Sequence, residues 1–473
     1  MNEQGNRGGT TTHDGVRMHE TPQQRITEQT RRWARHEGVG DVGTTSSFAN
    51  MEALLKREYF GRFVIELIQN ARDAWYANRS ARSERSVVRI LLHGSPPVLT
   101  VSNQGVALDA SGLIKHIAQF GESSKKAGAG IGHKGIGFKS VLEITRCPEI
   151  LSRADHAGPF DLRVRFDPRF TERTIDACSY PRTWAELVAE CDPGGLRNKD
   201  ERLPILRFPH WLESTPHLVE AEAVLDGVPF NTLVRLPYDA AFDTRLGLNP
   251  AEWLTRVREA MAGLSDEIVM LLDAFDRVVV EDRLMGEHLE IRVASRELRT
   301  LAAVGGGSVR QVAITRNGHA SSSWLLYERS LAKLGGDTLA GELVVGIPVE
   351  EHAGRLVPVL PPEEARCFHL FFPTQIATHL PFLLHAYFEV DAGRTRFAPD
   401  AVARNEELLA ALQDLVIDAV SDLVAADDVE AVGLPALFGR TMGQPEDPLA
   451  ARFVEQLLDR LDETPWICAV GHD

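Results

Sequence analysis

Cysteine is scarce in this chain and falls into no pattern. The 473 residues hold five, at positions 147, 178, 191, 367 and 468, with no C-x-x-C pair. That spacing excludes a zinc ribbon or a disulfide framework and leaves free thiols. Long apolar runs are missing too: nothing approaches the ~18 consecutive residues that a membrane-crossing helix needs, so no span is expected. The opening Met1–Gly5 has no basic segment leading into an apolar stretch. A secretory signal is therefore unsupported, and cytoplasmic residence is the expectation. Positive charge is in deficit, with a formal net charge of −16. Non-specific affinity for nucleic acid comes from cations that displace counterions, so a broad grip on duplex DNA is disfavoured. Gly-x-Ser-x-Gly is absent, and His369, His379 and His385 lack metal-ligand spacing and read as packed or surface histidines.

What remains is globular composition, 44% hydrophobic and 25% charged. This length exceeds one ordinary core, which predicts two domains of about 200 residues plus tails. Residues 1–43, rich in Gly, Thr, Arg and Glu, read as a flexible tail in which the charged stretch 22–37 has helix-forming character. A first unit, 44–240, is expected to open at Thr44–Ser47 with a helix over 49–78. It continues with a hairpin of 87–92 and 98–102, a helix over 113–120 and a helix over 140–145. Strands near 148–153, 161–167, 204–208 and 231–236 complete a mixed sheet. Pro237–Pro250 reads as the crossing to an α/β unit over 245–425. Its strands lie near 278–281, 289–293, 311–315, 343–347, 367–372 and 382–390, and a helix over 405–425 closes it. Residues 426–473 read as a helical extension with a helix over 448–461. Thr464–Cys468 resembles a further strand, so the chain is expected to be a piece of a longer protein. The fold class predicted is α+β.

Two segments carry chemistry. Phe63–Ala74 reads FVIELIQNARDA. On a helix Glu66, Asn70 and Asp73 fall at i, i+4 and i+7, so three polar side chains share one stripe while Val64, Leu67, Ile68 and Ala71 turn to the core. A solvated helix face would show the same spacing. Magnesium carried on a nucleotide needs only one or two protein oxygens, which suits Asn70. Glu66, one turn earlier, suits a general base that takes a proton from water attacking the γ-phosphate. The second segment, Gly130–Ser140, reads GIGHKGIGFKS. Its glycines let backbone N–H groups approach phosphates without Cβ interference, and a helix beginning near Gly137 adds partial positive charge. The long glycine-rich stretch 121–137 reads as a functional loop. A dinucleotide fold would need an apolar strand before Gly130, where Ser123-Ser124-Lys125-Lys126-Ala127 stands. A P-loop would need Gly-Lys-Ser/Thr together, and Lys134 lies between His133 and Gly135.

The Glu-x-x-x-Asn-x-x-Asp-Ala helix, the Asn103-Gln104-Gly105 turn and the glycine segment occur in the order of the GHKL (Bergerat-fold) ATPases, which they resemble. The closer wording, including Asn231-Thr232-Leu233-Val234-Arg235-Leu236-Pro237 and Phe372-Pro373-Thr374, is similar to the sacsin N-terminal ATPase-like branch over roughly 48–425. The resemblance implies a mixed-sheet and helix sandwich that binds ATP and Mg2+, followed by a transducer-like domain. It implies that Asp73 lies near the nucleotide and that Asn103, Gly105 and Thr232 meet adenine. Phosphates are expected against Ser123, Ser124, Lys125, Gly130, Gly132, Lys134, Gly135, Ile136, Gly137 and Phe138; Lys139 is a further candidate. Arg394 or Arg396, with Gln375 behind them, is expected to supply a cation to the γ-phosphate. Most of the superfamily has Asp where Asn103 stands; an amide oxygen still accepts from the adenine amino group, but its NH2 needs another partner. A slow, Mg-dependent ATPase that drives conformational change in a larger chaperone-like or defence-related protein is the expectation. The alternatives are an ATP-binding switch or scaffold with little hydrolysis, and a nucleic-acid-linked ATPase of the MutL or microrchidia kind. The expected partners are an unidentified protein client and a second copy in an ATP-dependent homodimer.

Overall fold

The computed structural model describes residues 20–58, 61–77, 85–119, 137–192, 199–214, 219–243, 248–301, 306–331, 341–391, 393–430, 433–434, 437–438 and 443–464. They form a mixed α and β architecture around one large sheet, as the α+β expectation requires. Its strands are β1 (Ser86–His93), β2 (Val98–Asn103), β3 (Glu149–Ser152), β4 (Leu162–Phe166) and β5 (Pro209–Trp211). A separate two-stranded ribbon is made by β6 (Val224–Leu225) and β7 (Val228–Pro229). There follow β8 (Thr232–Pro237), β9 (Phe275–Asp282), β10 (Glu287–Thr300), β11 (Ser308–Arg316) and β12 (His319–Ser330). The last are β13 (Glu342–His352), β14 (Arg355–Pro358), β15 (Cys367–Leu370), β16 (Phe372–Ala377) and β17 (Leu383–His385). The spatial order is 16-15-17-13-12-11-10-9-1-2-8-3-4-5, with β14 on β13.

The two sequence units share this sheet. Strand β1 pairs antiparallel with β2 on one side and parallel with β9 on the other, Val88 opposite Asn103 and Val278 respectively. One apolar cluster accordingly runs across the junction, holding Val64, Leu67, Ile90 and Val101 together with Val278, Ile291 and Leu326. A second cluster lies under the helices Val402–Ala425 and Pro448–Asp462, which cover the far half.

Several expected boundaries shift, each for a local reason. Within the segment read as a flexible tail, Thr21 and Gln24 form a reciprocal cap on α1 (Pro22–Trp33). Ile26 and Trp33 are buried, and Thr30 Oγ1 donates to the Pro209 carbonyl at 2.5 Å, so residues 22–39 are packed rather than loose. Thr44–Ser47 lie inside α2 (Val42–Glu58), whose start is held by Asp41 accepting from the Thr44 amide at 2.9 Å. The single helix expected over 49–78 is two: Gly61 has φ +76, outside helical space, and α3 (Phe63–Tyr76) begins after it. The expected strand over 204–208 is displaced to β5. Strand β12 was not foreseen, and residues 367–372 divide at Phe371 into β15 and β16. The expected strand over 464–468 lies, apart from Thr464, outside the described residues.

The crossing helix Pro250–Ala262 is anchored by Trp253, fully buried, whose indole N–H donates to the Ile144 carbonyl at 2.7 Å. Trp253→Ala removes that bond and opens a large cavity, so urea denaturation is expected to show a loss of about 3–5 kcal/mol. Trp253→Phe, which keeps most of the volume, should lose about 1–2 kcal/mol.

Candidate functional site

The site grows from the periodicity of the sheet. Alternate residues point to opposite faces, and directly paired residues share a face. Val101 of β2 pairs with Val234 of β8, which pairs with Ile150 of β3, and all three pack in the cluster under α3. Two residues further along, the same face ends in a polar row, Asn103, Thr232 and Ser152. Thr232 Oγ1 and Ser152 Oγ lie 2.9 Å apart, and Ser152 Oγ accepts from the Leu108 amide at 2.9 Å. Apolar rows hold α3 down; the polar row stands beyond them.

Helix α3 covers this face as its periodicity requires. Phe63, Val64, Leu67, Ile68 and Ala71 are buried. Glu66 is only 5% exposed, while Asn70 and Asp73 are half-buried. The Asn70 side chain takes no hydrogen bond among the described residues. Arg62 approaches Glu66 at 3.5 Å, and Arg72 approaches Asp73 at 3.2 Å. Gly137, seventy-one residues beyond Glu66 in sequence, lies against it so closely that a Cβ there would fall on the Glu66 carboxylate. The exit of the glycine segment therefore meets the helix stripe. Phe138 is core, packed with the α3 residues. Ser123, Ser124, Lys125, Gly130, Gly132, Lys134, Gly135 and Ile136 lie outside the described residues.

The turn after β2 docks on the other end of α3. Gly105 has φ +127, and a Cβ on it would lie 2.6 Å from the Ala74 carbonyl group. The neighbouring Val106 amide donates to that carbonyl at 2.8 Å. Asn231 fixes the turn, its Oδ1 accepting from the Gly105 amide at 3.0 Å and its amide NH2 donating to the Arg153 carbonyl at 3.1 Å. Asn103 Nδ2 donates to the Gln104 carbonyl at 2.8 Å. One N–H of its amide is thus bonded within the turn, which orients the amide oxygen as the acceptor. Asn231 and Ser152 were missed from sequence; Asn231 stands beside Thr232, but Ser152 reaches the row only through the β8–β3 register.

Other expected residues are placed elsewhere. Lys139 is buried, and its ammonium donates to the carbonyls of Ile117 and Gln119 at 3.3 and 3.4 Å. Burial lowers it to about 8 against the pull of Glu52. Glu52 of α2 is itself raised to about 7 by burial, although the amides of Ile205 and Leu206 donate to it at 2.6 and 2.8 Å. Arg394, with φ +56, gives a guanidinium N–H to the Leu370 carbonyl at 3.1 Å and lies over the Phe372 ring. Arg396 is exposed, 3.6 Å from Asp391. The Gln375 amide donates to the Arg394 carbonyl at 2.8 Å. No group of three or more His, Cys, Asp or Glu side chains suited to a metal ion occurs among the described residues, and no helix there is long and apolar enough to cross a membrane.

No protein-family model matches the chain. It is similar to Protein NO VEIN of Arabidopsis thaliana, 27% identical over 192 residues. The match covers 40% of this chain and 6% of that protein, so this chain spans a small part of its relative's length.

Gly105→Ala combines a strained φ with a backbone clash and should cost about 2–4 kcal/mol in urea denaturation. The Glu52–Lys139 pair sets a pH dependence. Between pH 4.5 and about 7 the unfolded chain ionises Glu52 and the folded chain does not, so stability falls as pH rises. From about 8 to 10.5 the folded chain has released the Lys139 proton that the unfolded chain still holds, so stability recovers. Denaturation midpoints should pass through a minimum near pH 7–8, and Glu52→Gln should abolish the acidic limb, up to about 3 kcal/mol deep.

Proposed function

We propose that this chain is a GHKL-type, Bergerat-fold ATPase that binds ATP with magnesium between α3 and the Asn103–Thr232–Ser152 row. The observation that carries this reading is the contact of Gly137 with Glu66. A glycine is placed against a buried carboxylate, with Asn70 and Asp73 following on the same helix.

The residues suit the ligand. Asn103 keeps its amide oxygen as an acceptor, because one N–H of its amide is bonded to the Gln104 carbonyl. That orientation meets the amino group of adenine as the aspartate of most GHKL proteins would, without the charge. Thr232, next in the row, offers a hydroxyl to the base, and Asp73 lies at the α3 end where the Gly105 turn docks. Asn70 offers an uncommitted side-chain oxygen one turn from Glu66. Magnesium, when bound, offsets charge on the β- and γ-phosphates, and with water and phosphate completing its shell it needs only that one protein oxygen.

Glu66 is the general base. Its carboxylate takes a proton from the water that attacks the γ-phosphorus, while the bond from that phosphorus to the β,γ-bridging oxygen breaks and ADP departs. Arg62, 3.5 Å from Glu66, holds the carboxylate in place. Gly137 keeps backbone, with no side chain, beside the base. The sheet shared by both halves offers the route by which binding alters the second half, and a protein client is the expected recipient of that change.

Glu66→Ala should keep ATP affinity within a few-fold and lower turnover by at least about 100-fold, consistent with loss of a general base. Asn70→Ala should lose the magnesium-dependent part of binding. Calorimetry with a non-hydrolysable analogue and a phosphate-release assay read both, and normal turnover in Glu66→Ala would remove the base. Gly137→Ala, which displaces only a side chain, should leave the melting temperature nearly unchanged and lower turnover.

A further inference from the structure

We propose that Arg72 is the positioning residue that transmits nucleotide occupancy on α3 to the turn between β15 and β16, an inference that rests on the ATP-binding reading of α3. Arg72 directly precedes Asp73, but its side chain leaves the polar stripe and enters the second half of the sheet. Its Nε donates to the Leu272 carbonyl at 3.0 Å, and one terminal nitrogen lies 3.2 Å from Asp73 Oδ1. The guanidinium carbon stands 5.0 Å from the Tyr76 ring centroid and 4.8 Å from that of Phe371. One planar cation thus touches a carboxylate on the nucleotide side and an aromatic face on the other, a geometry that lysine cannot reproduce.

The receiving turn is strained. Phe371 has φ +63, a left-handed conformation that a bulky residue keeps only where its surroundings enforce it. Its amide donates to His385 Nδ1 at 3.2 Å, and its ring meets Tyr387 edge-on at 5.2 Å. The His385 ring, with its centroid 4.5 Å away, and the Arg72 guanidinium complete its packing. Leu370, next to it, accepts from Arg394 at 3.1 Å, so the same turn leads to the 393–396 segment.

Arg72 also has somewhere to go. A cavity of about 250 Å³ borders it, lined also by Arg310, Asp273 and Glu328, where Asp273 pairs with Arg85 and Arg310, and Glu328 with Arg310. A nucleotide that engages Asp73 weakens one contact of the guanidinium, and the cavity gives the side chain room to turn. Moving the cation into the cavity withdraws one of the faces that Phe371 packs on. An element with two packings, biased by a ligand on one side, meets the physical requirement for coupling.

Hydrogen exchange on the full chain, with and without magnesium and a non-hydrolysable ATP analogue, tests this directly. In the wild type, peptides within 366–377 should change protection when the analogue binds. Arg72→Lys should bind the analogue within about threefold of wild type, lose that change and turn over about tenfold more slowly. Phe371→Leu, which removes the ring from the opposite side, should lose the same response and covers the case in which Arg72→Lys does not fold. A merely structural arginine would shift protection equally with and without nucleotide. The link is overturned by a wild-type-like response in Phe371→Leu or Arg72→Lys, or by silent peptides in a wild type that binds the analogue. A wild type that binds no nucleotide withdraws the functional reading itself, and the link with it.

Discussion

The architecture of the site depends on one steric fact: helix α3 lies on a sheet face whose last row is polar, and Gly137 comes against it where a Cβ would displace the Glu66 carboxylate. Apolar rows such as Val101–Val234–Ile150 press α3 down. The polar row stands beyond them, and the Gly137 backbone meets the Glu66–Asn70–Asp73 stripe at Glu66. Burial of α3's apolar side sets the height of the helix. At that height a Cβ at 137 would push the Glu66 carboxylate aside, so the glycine leaves that carboxylate in place without being needed for the fold. The turn at Gly105 obeys the same constraint at the other end of the helix, where backbone meets backbone.

The opposite face of this sheet shows why the site is confined to one side. There Arg235 pairs with both Glu222 and Glu149, His93 lies 3.0 Å from Glu222, and Arg89 pairs with Glu281. All but the half-buried Glu281 are buried, and these groups are paired with one another. Such networks are weak evidence for stability, but they leave nothing for a ligand. Asn70 and the Asn103 oxygen, by contrast, stand with hydrogen-bonding capacity to spare.

Local signals in the sequence were readable, and register was not. The α3 stripe was legible because 3.6-residue periodicity places Glu66, Asn70 and Asp73 together by arithmetic, and Val64, Leu67, Ile68 and Ala71 are buried as that arithmetic requires. The β1–β2 hairpin was legible from Gly94-Ser95-Pro96-Pro97 between two apolar runs. Ser152 was not, since its place beside Thr232 depends on strands eighty residues apart pairing in one register. The parallel β1–β9 pair that merges the two units is non-local in the same way. The break at Gly61 was hidden because helical spacing resumes at once in α3, and α1 was undervalued because its apolar anchors, Ile26 and Trp33, are sparse in a charged segment. Lys139 illustrates a subtler limit: its position beside the glycine segment suggested phosphate, yet its ammonium is spent on the carbonyls of Ile117 and Gln119.

The position of a bound nucleotide decides the function of this site. A crystal structure of the full chain with magnesium and a non-hydrolysable ATP analogue tests it most directly. The account predicts the γ-phosphate beside Glu66 and Gly137, the metal on Asn70, and the adenine amino group donating to Asn103 Oδ1. Density for the analogue at any other place, or a Glu66 carboxylate facing protein alone in the bound state, would contradict it.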